Sequence, residues 1–556
     1  LRTFRHDSRS ICKSNCEASR YISDTVGEAP GNCLRASEGG IQMMADKEKD
    51  RTLSTKSSEY GTSGECSAVP QSRFTHKVFW DPVHGEISLH PVSVSIVDTL
   101  EFQRLRHIRQ LGLAFYVYPG ASHSRFEHSL GTAYLARLLG TRLRDNQPEL
   151  DITEKELLCL EVAGLCHDLG HGPFSHVWER FYRSGPPHKS QEMERTQDVE
   201  WSHEATSCKL LDHLISVNDL KNYWERHLGQ GLTLDDLKLI KNLIMANVEQ
   251  AKPSRNFIYQ IVSNCDSGLD VDKWDYYLRD CHAVGVKCGF EYERLVSSAR
   301  VVTDENGVTH IAFRDKEVAN VYEMFRTRSR LHYTIYRHPF VAIAEVMICD
   351  ALRQADENCL FVFQGDGRPL CLWKTTHDVA LSSSGKDQME LFLSLTDSFV
   401  EMSVRYAHSN DSGVLRARSI WNALECRFRE PDSLYRFLGS VPHREGFTED
   451  YLRAEILSDL PEGVGLLQED LFVNKERVHW GRDQEDPVSK VWFYRKSQPE
   501  VAVRAGDLNR LGSAFFSPSQ FEDRRWHFIL RAPRRRELEG HVKKAIQRLV
   551  AKTRRQ

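Results

Sequence analysis

The spacing of apolar positions changes character several times along the chain. Residues 1–73 are rich in Ser, Gly, Glu and Lys with little apolar periodicity, a pattern that predicts disorder. The chain opens on Leu1, and Met43-Met44-Ala45 reads as a natural start, so residues 1–42 are expected to be upstream sequence. From Phe74 the pattern tightens. Lys77 to Leu89 mixes β-branched, aromatic and turn residues and predicts a strand or hairpin. Ile96, Leu100 and Leu105 fall on one stripe, and Leu130, Tyr134, Leu138 and Leu139 repeat at helical spacing. Leu157 to Leu165 is apolar nearly all round, which predicts a central helix. Further helices are expected around 203–216, 234–247, 270–282, 316–335 and 340–356. Beyond them the pattern is mixed. Leu360–Phe363, Val491–Tyr494 and Val501–Arg504 read as strands, 387–407 and 413–438 as helices, and a basic helix closes the chain from Arg536. The expectation is a mainly α protein: a helical core over 74–350, a smaller mixed α/β C-terminal lobe over 351–530 and a basic tail over 531–556.

Composition narrows the class. The chain has 556 residues, 40% apolar and 27% charged, enough for a sizeable globular core. The net charge of -4 argues against a protein that coats nucleic acid over its whole surface. No apolar run approaches the roughly 20 residues that span a bilayer, so no membrane association is expected. The 14 cysteines include no C-x-x-C pair and read as reduced thiols, with Cys159, Cys166 and Cys349 as small buried hydrophobes and Cys281 and Cys288 as a weak redox candidate.

Three segments carry chemistry: His123-Ser-Arg-Phe-Glu-His128, His167-Asp-Leu-Gly-His171-Gly-Pro-Phe-Ser-His176 and Asp270-Val-Asp272-Lys-Trp-Asp275-Tyr276. His167 and Asp168 close the most apolar helix. Successive helical side chains diverge by about 100°, so both can lean toward one ion at the helix end. A buried carboxylate needs a partner, and a divalent metal suits mixed imidazole and carboxylate ligands. His128 and Asp272 complete a His-His-Asp-Asp set that does not select among Fe, Mn, Zn, Ni and Mg. A lone buried histidine is usually a core residue; four of them (167, 171, 176 and 203) near glycines and acids are not.

The pattern H…HD…D with HDLGHGPFSH intact resembles the HD superfamily of metal phosphohydrolases. The strings DPVHGEISLHP, FQRLRHIRQLG, YPGASHSRFEHSLG and DVDKWDYYLRDC are similar to the vertebrate family of SAM-and-HD-domain deoxynucleoside triphosphate triphosphohydrolases, strongly over about 77–345 and more weakly to about 530. Residues 1–73 do not resemble a SAM domain. The resemblance implies an HD catalytic domain and a regulatory, oligomerising C-terminal lobe. It implies hydrolysis of a dNTP to a deoxynucleoside and inorganic triphosphate, limiting dNTP pools and viruses that reverse-transcribe. His128, His167, Asp168 and Asp272 would hold the divalent metal (Zn, Fe or Mn), with Mg accompanying the nucleotides. His171 would contact the phosphates. His176 would be the general acid at the 5′ oxygen, oriented by Glu179, where the family usually has Asp, and by His203. Arg125, Lys273 and Arg328 would neutralise the triphosphate, with Gln110, Leu111, Asp270, Tyr276, Asp280 and Tyr336 completing the substrate site around the sugar.

The resemblance also implies a homotetramer assembled by nucleotides. Asp98, Gln103 and Arg106 match a GTP/dGTP activator site, with Lys77 and Val78 from the neighbouring chain. Val117, Arg294, Arg314, Lys316, Asn320, His338 and Lys496 match a second, dNTP activator site. Trp80, Thr334, Arg337 and Pro339 depart from the family pattern, as do Glu430, Pro431 and Asp432, which puts activator preference in question. Other readings are a different HD-type nucleotide phosphohydrolase and a single-stranded nucleic-acid binder using the basic tail. Tail clusters also suggest the nucleus, the cytoplasm or both.

Overall fold

The computed structural model describes residues 77–186, 200–358, 360–362, 367, 370–381, 385–407, 410–425, 435–508, 520–531 and 536–555. The expectations for 1–73, disorder and the lack of a SAM-like module, lie outside them, as do Glu430, Pro431 and Asp432.

The fold is mainly helical, as expected, with a strand-containing C-terminal part. The stretch Lys77–Leu89 is an antiparallel hairpin, β1 (Lys77–Asp81) against β2 (Gly85–Leu89), closed where Asp81 Oδ1 accepts from the backbone N–H of Val83 and of His84, each at 2.9 Å. The predicted stripe Ile96–Leu100–Leu105 does not hold: Ile96 and Leu105 are buried, but Leu100 is 85% exposed. Helix α1 (Pro91–Val97) stops at Asp98, and Thr99 caps a new short helix at Leu100–Gln103, accepting from Phe102 N–H at 3.3 Å. The restart rotates the stripe.

Two long helices make the centre. In α2 (Arg125–Asn146) the first turn is closed by Glu127, which accepts from Ser124 N–H at 2.9 Å. In α3 (Glu154–Cys166) every residue from Leu157 to Cys166 is buried. Gly140 of α2 lets α3 approach: a Cβ there would come within 2.7 Å of Leu157 and 2.9 Å of Leu160. This close crossing brings the start of α2 beside the end of α3. Around them pack α4 (His176–Arg183), α5 (His203–Val217), α6 (Val271–Val284), α7 (Val318–Leu331) and α8 (Pro339–Glu357).

The strands expected at 491–494 and 501–504 are present, and with two that the sequence pattern did not predict they form a closed four-stranded barrel, β3 (Arg300–Thr303), β4 (Thr309–Arg314), β7 (Trp492–Arg495) and β8 (Gln498–Arg504). Its strands come from both sides of residue 350. A separate antiparallel sheet runs β5 (Arg436–Pro442), β9 (Glu522–Leu530), β6 (Leu471–His479), covered by helices Glu449–Ser458 and Arg536–Arg555 around their own core. Three expectations are corrected. The helix expected over 413–438 is Ser412–Glu425, and residues 436–438 begin β5, where pairing with β9 overrides helical spacing. The helix over 387–407 is two, Lys386–Leu393 and α9 (Asp397–Tyr406), because Thr396 caps a new start, accepting from Phe399 N–H at 3.1 Å. Among the described residues, 360–362 hold an isolated bridge and no strand.

Candidate metal centre and active site

Each predicted metal ligand comes from a helix end. His128 lies in the first turn of α2, His167 caps the C-terminus of α3, Asp168 follows it, and Asp272 stands in the first turn of α6. The three segments converge. Asp272 Oδ1 lies 3.0 Å from His128 Nε2 and 3.3 Å from His167 Nε2, and the two Nε2 atoms are 3.2 Å apart. Asp168 approaches both imidazoles at 3.5 Å.

Both tautomers follow from the partners. His167 Nδ1 faces the carbonyl oxygen of Gly164 at 2.7 Å, and His128 Nδ1 faces Asp275 Oδ2 at 2.7 Å. A carbonyl and an ionised carboxylate only accept, so both Nδ1 atoms carry a proton, and the lone pairs of both Nε2 atoms would face a bound cation. Burial alone would lower the His128 pKa, but hydrogen bonds to Asp272 and Asp275 and the charges of Asp275 and Asp168 push it up to about 10. The cluster therefore demands positive charge at this point. Two imidazole nitrogens and carboxylate oxygens crowded together fit a divalent cation.

The histidines expected to act in catalysis border the same place. Phe174 and Ser175 both adopt left-handed backbone, φ +59° and +58°, unusual for residues with a Cβ. Asp397 of α9 holds this turn, accepting from Phe174 N–H at 2.7 Å and Arg109 N–H at 3.0 Å. Ser175 Oγ donates to Arg109 O at 2.7 Å and accepts from Arg125 Nε at 2.9 Å. The turn delivers His176 as the first residue of α4 with its side chain 70% exposed. Glu179 Oε1 lies 3.0 Å from His176 Nδ1 and 3.2 Å from His203 Nδ1, so one carboxylate serves both rings despite the longer side chain. Burial would raise the Glu179 pKa, but those two histidines hold it well below the usual range. His171 stacks on His203 at 3.9 Å and reaches Asp168 at 3.3 Å; burial, Arg125 and His203 hold it well below its ordinary pKa, hence neutral.

Apart from Glu179, which stands behind His176 and His203, the ligand and histidine side chains line one cavity of about 620 Å³. Gln110, Leu111, Arg125, Lys273, Tyr276, Asp280, Arg328 and Tyr336 also line it. Arg125 Nη1 reaches Asp168 at 2.5 Å, and Arg328 Nη1 reaches the Tyr276 hydroxyl at 3.3 Å. Tyr336 donates to Asp280 at 2.5 Å. Asp270 is the exception. It is buried outside the lining, caps α6 by accepting from Lys273 N–H at 3.0 Å, and holds Lys273 Nζ at 2.6 Å. Its carboxylate is taken up by the helix start, so it positions Lys273 and does not face the cavity.

The HD domain family matches residues 125–277, the span holding all four proposed ligands. The deoxynucleoside triphosphate triphosphohydrolase SAMHD1 of Gallus gallus is 40% identical over 466 residues, covering 79% of this chain and 70% of that protein. The Homo sapiens protein of the same name is 39% identical over 452 residues, covering 77% and 67%. A SAMHD1 homolog of Dictyostelium discoideum is 30% identical over 498 residues, covering 89% and 84%. The chain belongs to the SAMHD1 family.

In this SAMHD1-family chain, of the residues matched to the first activator site, Lys77, Val78, Asp98 and Arg106 are exposed and Gln103 is half-buried. Lys77 Nζ pairs with Asp98 of its own chain at 2.6 Å, and Arg106 Nε donates to Gln103 Oε1 at 2.7 Å. Val78 and Trp80 stand out from β1, 52% and 83% exposed. Of the second set, Arg294, Lys316 and Asn320 gather on Glu317, and Arg314 on β4 pairs with Tyr494 of β7, two residues before the exposed Lys496. The His338 ring lies 6.1 Å from Tyr118, the neighbour of Val117. Arg337 lines the cavity and pairs with Glu476 of β6 at 2.8 Å.

Sequence reading missed the supports. Arg104 is buried and donates to the carbonyls of Leu169, His171 and Leu395 at 3.2, 2.9 and 2.8 Å. His123 holds Asp280 at 2.8 Å. Asp275 and His84 sit in quoted strings without a role, and Asp397 lies 223 and 288 positions from the Phe174 and Arg109 amides it grips. A charge inside an apolar stretch, as at Asp275, was the available signal.

Proposed function

We propose that the protein is a metal-dependent triphosphohydrolase that converts a dNTP to a deoxynucleoside and inorganic triphosphate. The observation that carries this is the meeting, in one cavity, of the His128–His167–Asp272 cluster, with Asp168 3.5 Å from both imidazoles, and of His176 and His203, which share the Glu179 carboxylate. A divalent cation bound there would polarise the α-phosphate and acidify a water. His128, His167, Asp168 and Asp272 would hold it. Arg125, Lys273 and Arg328 neutralise the triphosphate, and His171 contacts the phosphates. His176 delivers a proton to the 5′ oxygen of the leaving deoxynucleoside, with Glu179 and His203 holding its ring. Tyr276, Gln110 and Leu111 form the sugar's wall, beside the Tyr336–Asp280 pair.

The reading extends to control. GTP or dGTP at Lys77, Val78, Asp98, Gln103 and Arg106, and a dNTP at the set around Glu317, would assemble a homotetramer in the nucleus, the cytoplasm or both, with Mg accompanying the nucleotides and Zn, Fe or Mn in the HD centre. The restriction of reverse-transcribing viruses would follow from lowered dNTP pools. The nucleic-acid reading draws less support: Lys543, Arg548 and Lys552 of the last helix each pair with an acid, Glu539, Asp459 and Glu455.

Product chromatography on dATP with Mg²⁺, with and without GTP, tests the proposal. Deoxyadenosine with triphosphate, formed only with GTP, supports both activity and control. Product without GTP keeps the activity and overturns the GTP requirement. No product from metal-loaded protein overturns the dNTPase reading.

A further inference from the structure

The hairpin β1–β2 presents two unlike faces. Val78 and Trp80 look outward, while the side chain of His84 in the turn is fully buried, its ring 5.4 Å from Tyr134 and 5.6 Å from Tyr292. His84 Nε2 meets Asp275 Oδ1 at 2.7 Å. The other oxygen of the same carboxylate takes the Nδ1 proton of His128 at 2.7 Å. Arg279 spans both oxygens, Nη2 to Oδ1 and Nε to Oδ2 at 2.9 Å each, and its third nitrogen, Nη1, returns to the hairpin at Asp81 Oδ2, 2.8 Å away. Asp275 thus accepts from a metal-ligand histidine, from the hairpin turn and from an arginine that is itself tied to the hairpin. All of these side chains are at most 4% exposed.

Room for this junction comes from α2. Gly131 stands one turn after His128, and a Cβ there would lie 1.8 Å from Asp275 Oδ1 and 2.5 Å from Arg279 Nη2. The carboxylate occupies the volume of the missing side chain. Such partners behind a ligating imidazole fix its tautomer and its basicity, and losing them weakens metal binding by about 10–100-fold.

We propose that Asp275 is the positioning residue of the metal centre, and that through His84 and the Arg279–Asp81 pair it makes metal affinity depend on how the hairpin β1–β2 is seated. A displacement of the hairpin, whose outer face carries Val78 and Trp80, then acts on the metal centre by moving one carboxylate. The inference rests on the reading of the His/Asp cluster as a divalent-metal centre and is independent of the substrate.

The test is Co²⁺ binding to the full chain by chelator competition, with the visible absorption of bound Co²⁺ as a record of its ligand set. Asp275→Asn turns one acceptor into a donor aimed at donors. Co²⁺ affinity is expected to fall about 10–100-fold with an altered spectrum. Gly131→Ala displaces the carboxylate without changing any hydrogen-bonding group and is expected to act in the same direction. His84→Gln, remote from the ligands, is expected to weaken Co²⁺ several-fold in protein whose circular dichroism is native. Native affinity and spectrum in a folded Asp275→Asn variant would overturn the positioning role. Should that variant not fold, native affinity in Gly131→Ala would do the same. A His84→Gln protein that binds Co²⁺ as the parent does would overturn the hairpin link. Failure of the parent itself to bind Co²⁺ would overturn the metal reading, and this inference with it.

Discussion

The metal cavity and the proposed activator face are built from the same residue types under opposite conditions. In the cavity, Asp168 and Arg125 pair with 3% and 4% of their side chains exposed, and Asp275 with His128 at 0% and 1%. On the outer face, Lys77 and Asp98 pair at 44% and 54%. A buried partner that loses its mate costs about 3–5 kcal/mol, whereas an exposed pair contributes about 0–1 kcal/mol. The first arrangement is therefore held in one geometry before substrate arrives. The second can be opened by a ligand at little cost. Under the proposed reading, rigid chemistry and exchangeable control are separated by burial.

The comparison breaks most sharply at the ligands. His167→Ala with Asp168→Ala is expected to remove bound metal, checked by elemental analysis, and to reduce dATP hydrolysis to background, because two of four donors go and Arg125 is left buried without its acid. His176→Ala is expected to lower kcat by about 10²–10⁴ while leaving KM and the melting temperature near the parent's, since its side chain is largely exposed. A parallel fall in metal content would instead place His176 among the ligands.

Gly140→Ala tests the crossing that brings His128 to His167. Overpacking there is expected to cost about 1–3 kcal/mol in denaturant titration. Asp397 offers a pH test of the buried side. Burial pushes its carboxyl up to about 6, above the ordinary value of 3.8, despite hydrogen bonds from Phe174 and Arg109. A group whose folded pKa is raised above its unfolded one binds its proton more tightly when folded, so its contribution to stability is largest below about 4 and declines as pH rises through 6. The melting temperature of the parent minus that of Asp397→Asn should fall over this window; a flat difference would sink the assignment. The smallest effect belongs to the outer face. Lys77→Ala is expected to change stability by less than about 1 kcal/mol and to raise the GTP concentration needed for half-maximal activity.

Legibility followed the same division. The HD ligands, His171, His176 and His203 could be read because short strings place them and their chemistry is unusual in apolar surroundings. Asp270 is placed among the substrate residues by the family resemblance; only the helix start shows its carboxylate turned inward to cap. Leu100 belonged to the stripe on paper and to solvent in the fold, because a capped restart at Thr99 rotated it. Residues 436–438 followed helical spacing but joined β9, since strand partners distant in sequence leave no local mark.

The amino-acid order by itself determined the mainly helical character, the hairpin at 77–89, the buried helix ending at His167 and the donor set for a divalent metal. Each depends on spacing within about four residues, or on residue types whose charge cannot be buried alone. Tertiary structure decided which supports those groups receive. It set Asp397 against the Phe174–Ser175 turn, Arg104 across three carbonyls, and Asp275 between His128 and the hairpin. Those contacts join segments up to nearly 300 positions apart. They exist because buried donors and acceptors must find partners, and only the packed chain determines which ones are within reach.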